Sequence, residues 1–194
     1  MKNFNIIGLL LIVSTFSACG NDPLPKPNAL LRLEYPDPEY KRVDLPLPFI
    51  FDKNNYAEKI TKIKLDGIND LTGLEINYPS MKGTIYLTYK KVKEDNLVQL
   101  LTDAQNLTQK HTIKADEIEG DLYENPEKNV FGMFYEVGGN AASQSQFYVT
   151  DSINHFLSGS LYFYAKPNYD SIYPAAMYLK NDIKRLMESV EWKE

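Results

Sequence analysis

Few side chains in this chain can do chemistry. Its 194 residues hold two histidines, His111 and His155, and a single cysteine, Cys19. His155 follows Asp151 by four positions and stands near Ser143 and Ser145 along the chain. A hydroxyl, an imidazole and a carboxylate are the parts of an activated nucleophile. No G-x-S-x-G elbow surrounds any of these serines, and nearness in sequence does not make side chains converge. The pattern suits a hydrogen-bonded histidine at the start of a strand. His111, followed by Lys114, Asp116 and Glu117, reads as the polar end of a helix. Neither histidine lies in H-E-x-x-H or another close metal spacing. One cysteine permits neither an intramolecular disulfide nor a zinc site of several thiolates. The residues therefore predict no catalytic centre, no metal and no cofactor.

Gly138-Gly139-Asn140 is not a phosphate loop. It lacks the G-K-[ST] ending, and a strand precedes it while no helix follows. It reads as a hairpin turn whose glycines supply positive φ. Ala141, Ala142 and Ser143 extend it into a small, uncharged tip that a partner could approach closely. Gly138, Gly139, Asn140 and Ser143 are thus candidate partner-contact residues. Tyrosine is abundant, with 14 against one tryptophan. Tyr86, Tyr89, Tyr135, Tyr148, Tyr162 and Tyr164 fall in strand-like stretches. They suit a half-buried sheet face best; the alternative is that they form stacking platforms for a sugar.

Composition is that of an ordinary globular chain, 43% hydrophobic and 24% charged. Lys and Arg total 21 against 26 Asp and Glu, a formal net charge of -5. That balance disfavours a nucleic-acid partner, which needs clustered cations.

The N-terminus explains the cysteine. Lys2 is followed by an apolar run from Ile6 to Val13. The run falls short of the about 20 residues that span a bilayer, and it fits a signal peptide. Ser17 and Ala18 then precede Cys19, a pattern that resembles a bacterial lipobox, although Phe16 replaces the usual leucine. Residues 1–18 are read as a lipoprotein signal peptide. Cys19 would receive a diacylglycerol on its thiol, and its new amine would be acylated after cleavage. Each buried methylene adds about 0.8 kcal/mol to such an anchor. Residues 19–28 form a lipidated tether held extended by Pro23, Pro25 and Pro27. Gly20 in place of an aspartate favours the outer membrane, and Asp22 alone is too weak an acidic signal to argue for surface export. The expected location is the periplasmic face of the outer membrane, anchored by lipid. Residues 29–194 are read as one domain.

Two helices are legible within it. From Asp95 to His111, Leu97, Leu100, Leu101, Ala104 and Leu107 recur at three and four. From Ser171 to Val190, Ile172, Ala176, Leu179, Ile183, Leu186 and Val190 do the same, with Asp170 or Ser171 as cap and Pro174 in the first turn. Strands are expected at 84–89, with Ile85, Leu87 and Tyr89 on one side, and at 130–137, 144–150 and 155–165. Weaker candidates are 32–35, 43–51 and 74–78. Short turns between the later strands require antiparallel pairing. The order predicts an α+β sandwich, an antiparallel sheet with helices packed on it, and resembles PsbP/Mog1-like domains.

Four stretches carry a closer likeness: MKGTIYLTYK (81–90), LTQKHTIKADEI (107–118), YEVGGNAASQSQFYVTDSINHFLSGSLYFYAKPNYDSI (135–172) and YLKNDIKRLMESVEW (178–192). They resemble the gliding motility lipoprotein GldD family of the Bacteroidetes. The resemblance implies a non-enzymatic envelope protein that contributes to gliding and to type IX secretion through contacts with other envelope proteins. It carries over one functional residue, the acylated Cys19. Many members have Cys-Pro before a phenylalanine and a second cysteine upstream of the Tyr-Pro. Here Leu47 precedes Pro48-Phe49, and Thr72 stands ahead of Tyr78-Pro79. The resemblance implies a disulfide lost as a pair, with residues 47 and 72 close enough to bridge. Asp151-Ser152-Ile153 and Asp170-Ser171-Ile172 also match the short acceptor pattern of Bacteroidetes O-glycosylation, which makes Ser152 and Ser171 candidate glycan sites. A periplasmic glycan- or peptidoglycan-binding module built on exposed tyrosines is the alternative function. An enzyme using His155 is the third.

Overall fold

Apolar Ile85, Leu87 and Tyr89 alternate with Thr84, Tyr86 and Thr88, and that segment is an interior strand of the large sheet. The computed structural model describes residues 33–63, 71–93, 95–110, 115–164 and 169–193. In chain order these form β1 (Tyr40–Val43), β2 (Phe49–Asn54), β3 (Ile60–Ile63), β4 (Leu71–Tyr78), β5 (Gly83–Lys91), α1 (Leu97–Gln109), β6 (Ala115–Asn125), β7 (Val130–Gly139), β8 (Ser145–Thr150), β9 (His155–Phe163), α2 (Tyr169–Glu188) and β10 (Glu191–Trp192). Seven strands make one sheet in the order β3-β4-β5-β9-β8-β7-β6, and β1-β2-β10 make a second. Every pairing is antiparallel. This is the expected α+β sandwich.

Register explains the core. Leu74, Leu87, Gly159, Phe147 and Phe134 lie in one row across five strands. They share the inner face with Ile76, Ile85, Leu157 and Leu161, all buried. A Cβ on Gly159 would lie 2.1 Å from Phe147 Cε1, so this glycine makes room for the ring. The buried stripe of α2, with Leu179, Ile183, Leu186 and Met187, packs against this face, and Phe49 and Phe51 of β2 join the same core. The apolar side of α1 covers part of the outer face, where Leu100 meets Tyr148 and Phe156.

Some boundaries differ from the sequence reading. The expected strand at 43–51 is split, because Pro46 and Pro48 withhold amide donors from any ladder. β1 ends at Val43 and β2 begins at Phe49. Residues 33–35 form no strand, and Arg32 lies outside the described residues. α2 starts at Tyr169, ahead of the expected cap, so Asp170 and Ser171 are in its first turn and Pro174 lies further inside. Asn96 occupies the N-cap position of α1 without capping it; its Oδ1 accepts the Lys93 amide at 2.8 Å. His111, Lys114 and Ala165 lie outside the described residues, as do Cys19 and the tether.

Candidate functional site

The turn between β8 and β9 decides what His155 can do. Asp151 Oδ1 accepts three backbone N–H groups, from Ile153 at 3.0 Å, Asn154 at 2.8 Å and His155 at 2.8 Å. The carboxylate therefore closes the turn and does not orient the imidazole. His155 Nδ1 pairs with the Tyr89 hydroxyl at 2.8 Å, and its ring stacks on Trp192 with centroids 5.0 Å apart. Burial pushes this imidazole below its ordinary pKa, with Asp151 pulling the other way. Ser145 begins β8 and Ser143 precedes it, at the end away from His155, so neither serine joins His155 and Asp151 in a hydroxyl–imidazole–carboxylate array. Ser152 is exposed at the turn tip with φ +66°, its amide bonded to Thr150 Oγ1. Among the described residues, no group of three His, Cys, Asp or Glu is placed to hold a metal ion.

Half of the 138–143 loop is buried. Gly139 has φ +85°, and a Cβ there would come within 2.6 Å of Asp116 Oδ2. Gly138 is half-buried and does not share the positive φ. Ala141 and Ser143 are buried, with the Ser143 hydroxyl donating to the Ser145 carbonyl. Asn140 is exposed, and its Oδ1 accepts the Tyr169 amide at 2.9 Å, tying the loop to the start of α2. Of the four candidate contact residues, Asn140 alone is fully at the surface. Ser171 is exposed in the first turn of α2.

The tyrosines divide. Tyr78, Tyr89 and Tyr148 are buried. Tyr86, Tyr162 and Tyr164 gather at the β5–β9 side of the large sheet. The Tyr86 and Tyr162 rings meet edge-on at 5.8 Å, and the Tyr86 and Tyr164 hydroxyls pair at 2.7 Å. Tyr164 is 65% exposed. Partial burial raises the phenol pKa of Tyr162, and for Tyr86 the Tyr164 hydrogen bond adds to the effect.

Two polar arrangements were not legible in the sequence. Asp182 of α2 is buried at 3% exposure. It accepts the Tyr40 hydroxyl at 2.7 Å and the Asn54 amide at 2.9 and 3.0 Å. Burial raises its pKa, while hydrogen bonds from Tyr40, Asn54 and Tyr78 and the charge of Lys53 lower it. This network clips β1 and β2 to α2. The second is Gln146 on β8, 3% exposed, whose Nε2 has no partner among the described residues.

Leu47 is buried in the core, and Thr72 pairs in register with Tyr89, whose ring stacks on Phe49 at 5.7 Å.

Residues 20–192 match the family model described as gliding motility lipoprotein GldD. The chain belongs to the gliding motility lipoprotein GldD family. The match begins at the residue after Cys19 and runs almost to the C-terminus. Membership makes this GldD-family chain a lipoprotein of gliding motility, held in the cell envelope by its lipid. No curated protein and no solved structure matches it, so the likeness to PsbP/Mog1-like domains rests on element order alone.

Proposed function

We propose that this chain is a non-enzymatic lipoprotein, acylated at Cys19, that contributes to gliding motility and the associated type IX secretion through contacts with other envelope proteins. The observation that carries the reading is the family match over residues 20–192, which starts one residue after Cys19, the N-terminus that lipobox cleavage would leave. The role of Asp151 in closing its turn and the pairing of His155 with Tyr89 support a non-enzymatic role. The proposed location is the periplasmic face of the outer membrane. A Cys19→Ala chain should leave the detergent phase on phase partitioning and be found free in the periplasm or poorly processed. Unchanged partitioning would contradict lipidation at Cys19.

The second reading is a periplasmic glycan- or peptidoglycan-binding module. The grouping of Tyr86, Tyr162 and Tyr164 favours it.

A further inference from the structure

Tyrosines collect at one end of the molecule, and the chain enters the domain at that end. There β4 turns into β5 through residues 79–82, β7 and β9 finish, and α2 starts. The Tyr164 amide bonds the Lys82 carbonyl at 2.8 Å, and Asn140 holds the Tyr169 amide. Tyr169 and Tyr173 meet edge-on at 5.5 Å on the first turns of α2. Leu179 packs on Gly83, the first residue of β5. One residue earlier, the Tyr178 ring lies 5.2 Å from that of Tyr35 and 6.3 Å from that of Tyr56. Glu58 and Tyr164 border one groove beside the β4–β5 turn. Leu33 is 48% exposed and Tyr56 39%, and Tyr35, Tyr169, Tyr173 and Tyr178 are half-buried.

A phenol ring has an apolar body and a polar tip, which suits the headgroup layer of a bilayer. The position of the tether brings that layer here. Leu33 stands two residues before Tyr35, and the 14 residues from Gly20 to Leu33 reach at most about 50 Å. β5 alone, with nine residues, is about 30 Å long, so the two ends of the sheet are well separated. A chain anchored at Cys19 therefore has its tyrosine-bearing end nearest the bilayer. A tethered domain meets the surface at high effective concentration, so contacts too weak to bind a free protein suffice.

We propose that this end rests on the headgroup layer of the bilayer that holds the Cys19 lipid, through Leu33, Tyr56, Tyr164 and Tyr173, and that it takes zwitterionic headgroups. The inference rests on acylation at Cys19. Charge selects the headgroup. Glu34, Asp37 and Glu39 stand in the entering segment and Glu58 in the groove, against Lys59 and Lys82. That excess repels anionic lipids, whereas a headgroup ammonium is attracted by carboxylates and by phenol faces. The opposite end, with Ile153 exposed on the turn that Asp151 closes and Trp192 stacked on His155, is left facing away from the bilayer.

The test uses the mature chain from Cys19 to Glu194, carrying fluorotyrosine. Cys19 is its only thiol, so coupling it to a maleimide-headgroup lipid rebuilds the anchor whether or not the bacterium acylates it. The coupled chain is placed in phosphatidylcholine bicelles that contain a gadolinium-chelate lipid. Fluorine NMR then reads the paramagnetic broadening at each tyrosine, assigned with single tyrosine-to-phenylalanine variants. Tyr56, Tyr164 and Tyr173 should broaden several-fold more than Tyr123, whose hydroxyl bonds the Glu188 carbonyl at the far end of α2. Leu33→Ser combined with Tyr56→Ser should bring Tyr164 and Tyr173 down to the level of Tyr123. Exchanging part of the phosphatidylcholine for phosphatidylglycerol should reduce the excess. Equal broadening at both ends overturns the proposal, as does an excess at Tyr123 or one that survives the double variant. An excess that rises with phosphatidylglycerol overturns the choice of headgroup. Broadening of the same tyrosines that grows with protein concentration, without the gadolinium lipid, assigns the face to a second copy and overturns the proposal too. Because the thiol is coupled chemically, these failures count against the docking alone, while acylation is judged by the partitioning of Cys19→Ala.

Discussion

Replacing Tyr40 with Phe deletes one hydroxyl and little else. That hydroxyl donates to Asp182 Oδ1 at 2.7 Å, and Asp182 is 3% exposed. A hydrogen bond to a charged group is worth about 1.5–3 kcal/mol, against about 0.5–1.5 kcal/mol for a neutral one. The loss once Asp182 is ionised should therefore be about 1.5–3 kcal/mol, or roughly 3–12 °C in Tm at the usual conversion for a chain of this size, and about 0.5–1.5 kcal/mol while it is protonated. Its pH dependence is the sharper part. Burial dominates at Asp182 and holds the carboxyl above its ordinary range. The contribution of this group to wild-type stability is thus complete below that range and is lost as pH rises through the raised folded pKa. The Tyr40 bond acts in the opposite sense, since it favours the ionised carboxylate. Measured from about pH 4 to about pH 8, the deficit of Tyr40→Phe should grow as pH rises through the raised folded pKa and Asp182 becomes charged. Denaturant melts of both proteins across that range read it directly. A deficit independent of pH would mean that Asp182 does not titrate in the folded state, and the account of the network would be wrong.

Three further outcomes are expected. Gly159→Ala places a Cβ 2.1 Å from Phe147 Cε1; it should lower stability by about 1–3 kcal/mol, with partial recovery on adding Phe147→Leu, and an unchanged denaturation midpoint would contradict the packing argument. With Cys19 replaced by Ala, a Leu47→Cys, Thr72→Cys pair should close a disulfide under oxidation, which needs Cα atoms within about 7 Å; two thiols that stay alkylatable after oxidation would rule it out. Intact mass of the protein from its own bacterium should show glycan lost in steps on Ser152→Ala and Ser171→Ala, both hydroxyls being exposed; an unmodified wild-type mass would remove both sites.

Much of the fold could be read from the chain because its central strands state their period. In β5, Ile85, Leu87 and Tyr89 face the core between Thr84, Tyr86 and Thr88. β7, β8 and β9 are aromatic-rich and separated by short turns, so their antiparallel pairing followed. β6 gave no such signal. It is a sheet edge, mostly exposed along its length, with Asp116, Glu117, Glu119, Asp121 and Glu124 among its 11 residues. Charges on an edge discourage pairing with other chains and erase the alternation that marks a strand. Asp182 was missed for a related reason. Asp182 lies at the margin of the α2 stripe, three residues after Leu179 and four before Leu186, and the small sheet covers that margin through Tyr40 and Asn54. Nothing in the sequence separates Gln146 from an outward polar residue of a strand; it is buried on the outer face where Thr108 of α1 bonds to it. The 138–143 loop looked exposed because its residues are small. Small residues also pack well, and Ala141 and Ser143 are buried.

The central claim is that this GldD-family lipoprotein serves gliding and its linked secretion from a lipid anchor at Cys19. Its most direct test is a clean deletion in the bacterium that makes it, complemented with the wild-type chain or with Cys19→Ala. Single-cell gliding, colony spreading and release of a type IX substrate would be scored together. The account predicts that deletion abolishes gliding and substrate release, that the wild-type chain restores both, and that Cys19→Ala restores neither. Lost gliding with normal secretion would contradict the secretion role and place the protein in the motor or adhesin track. Unchanged gliding and secretion in the deletion would contradict the claim as a whole.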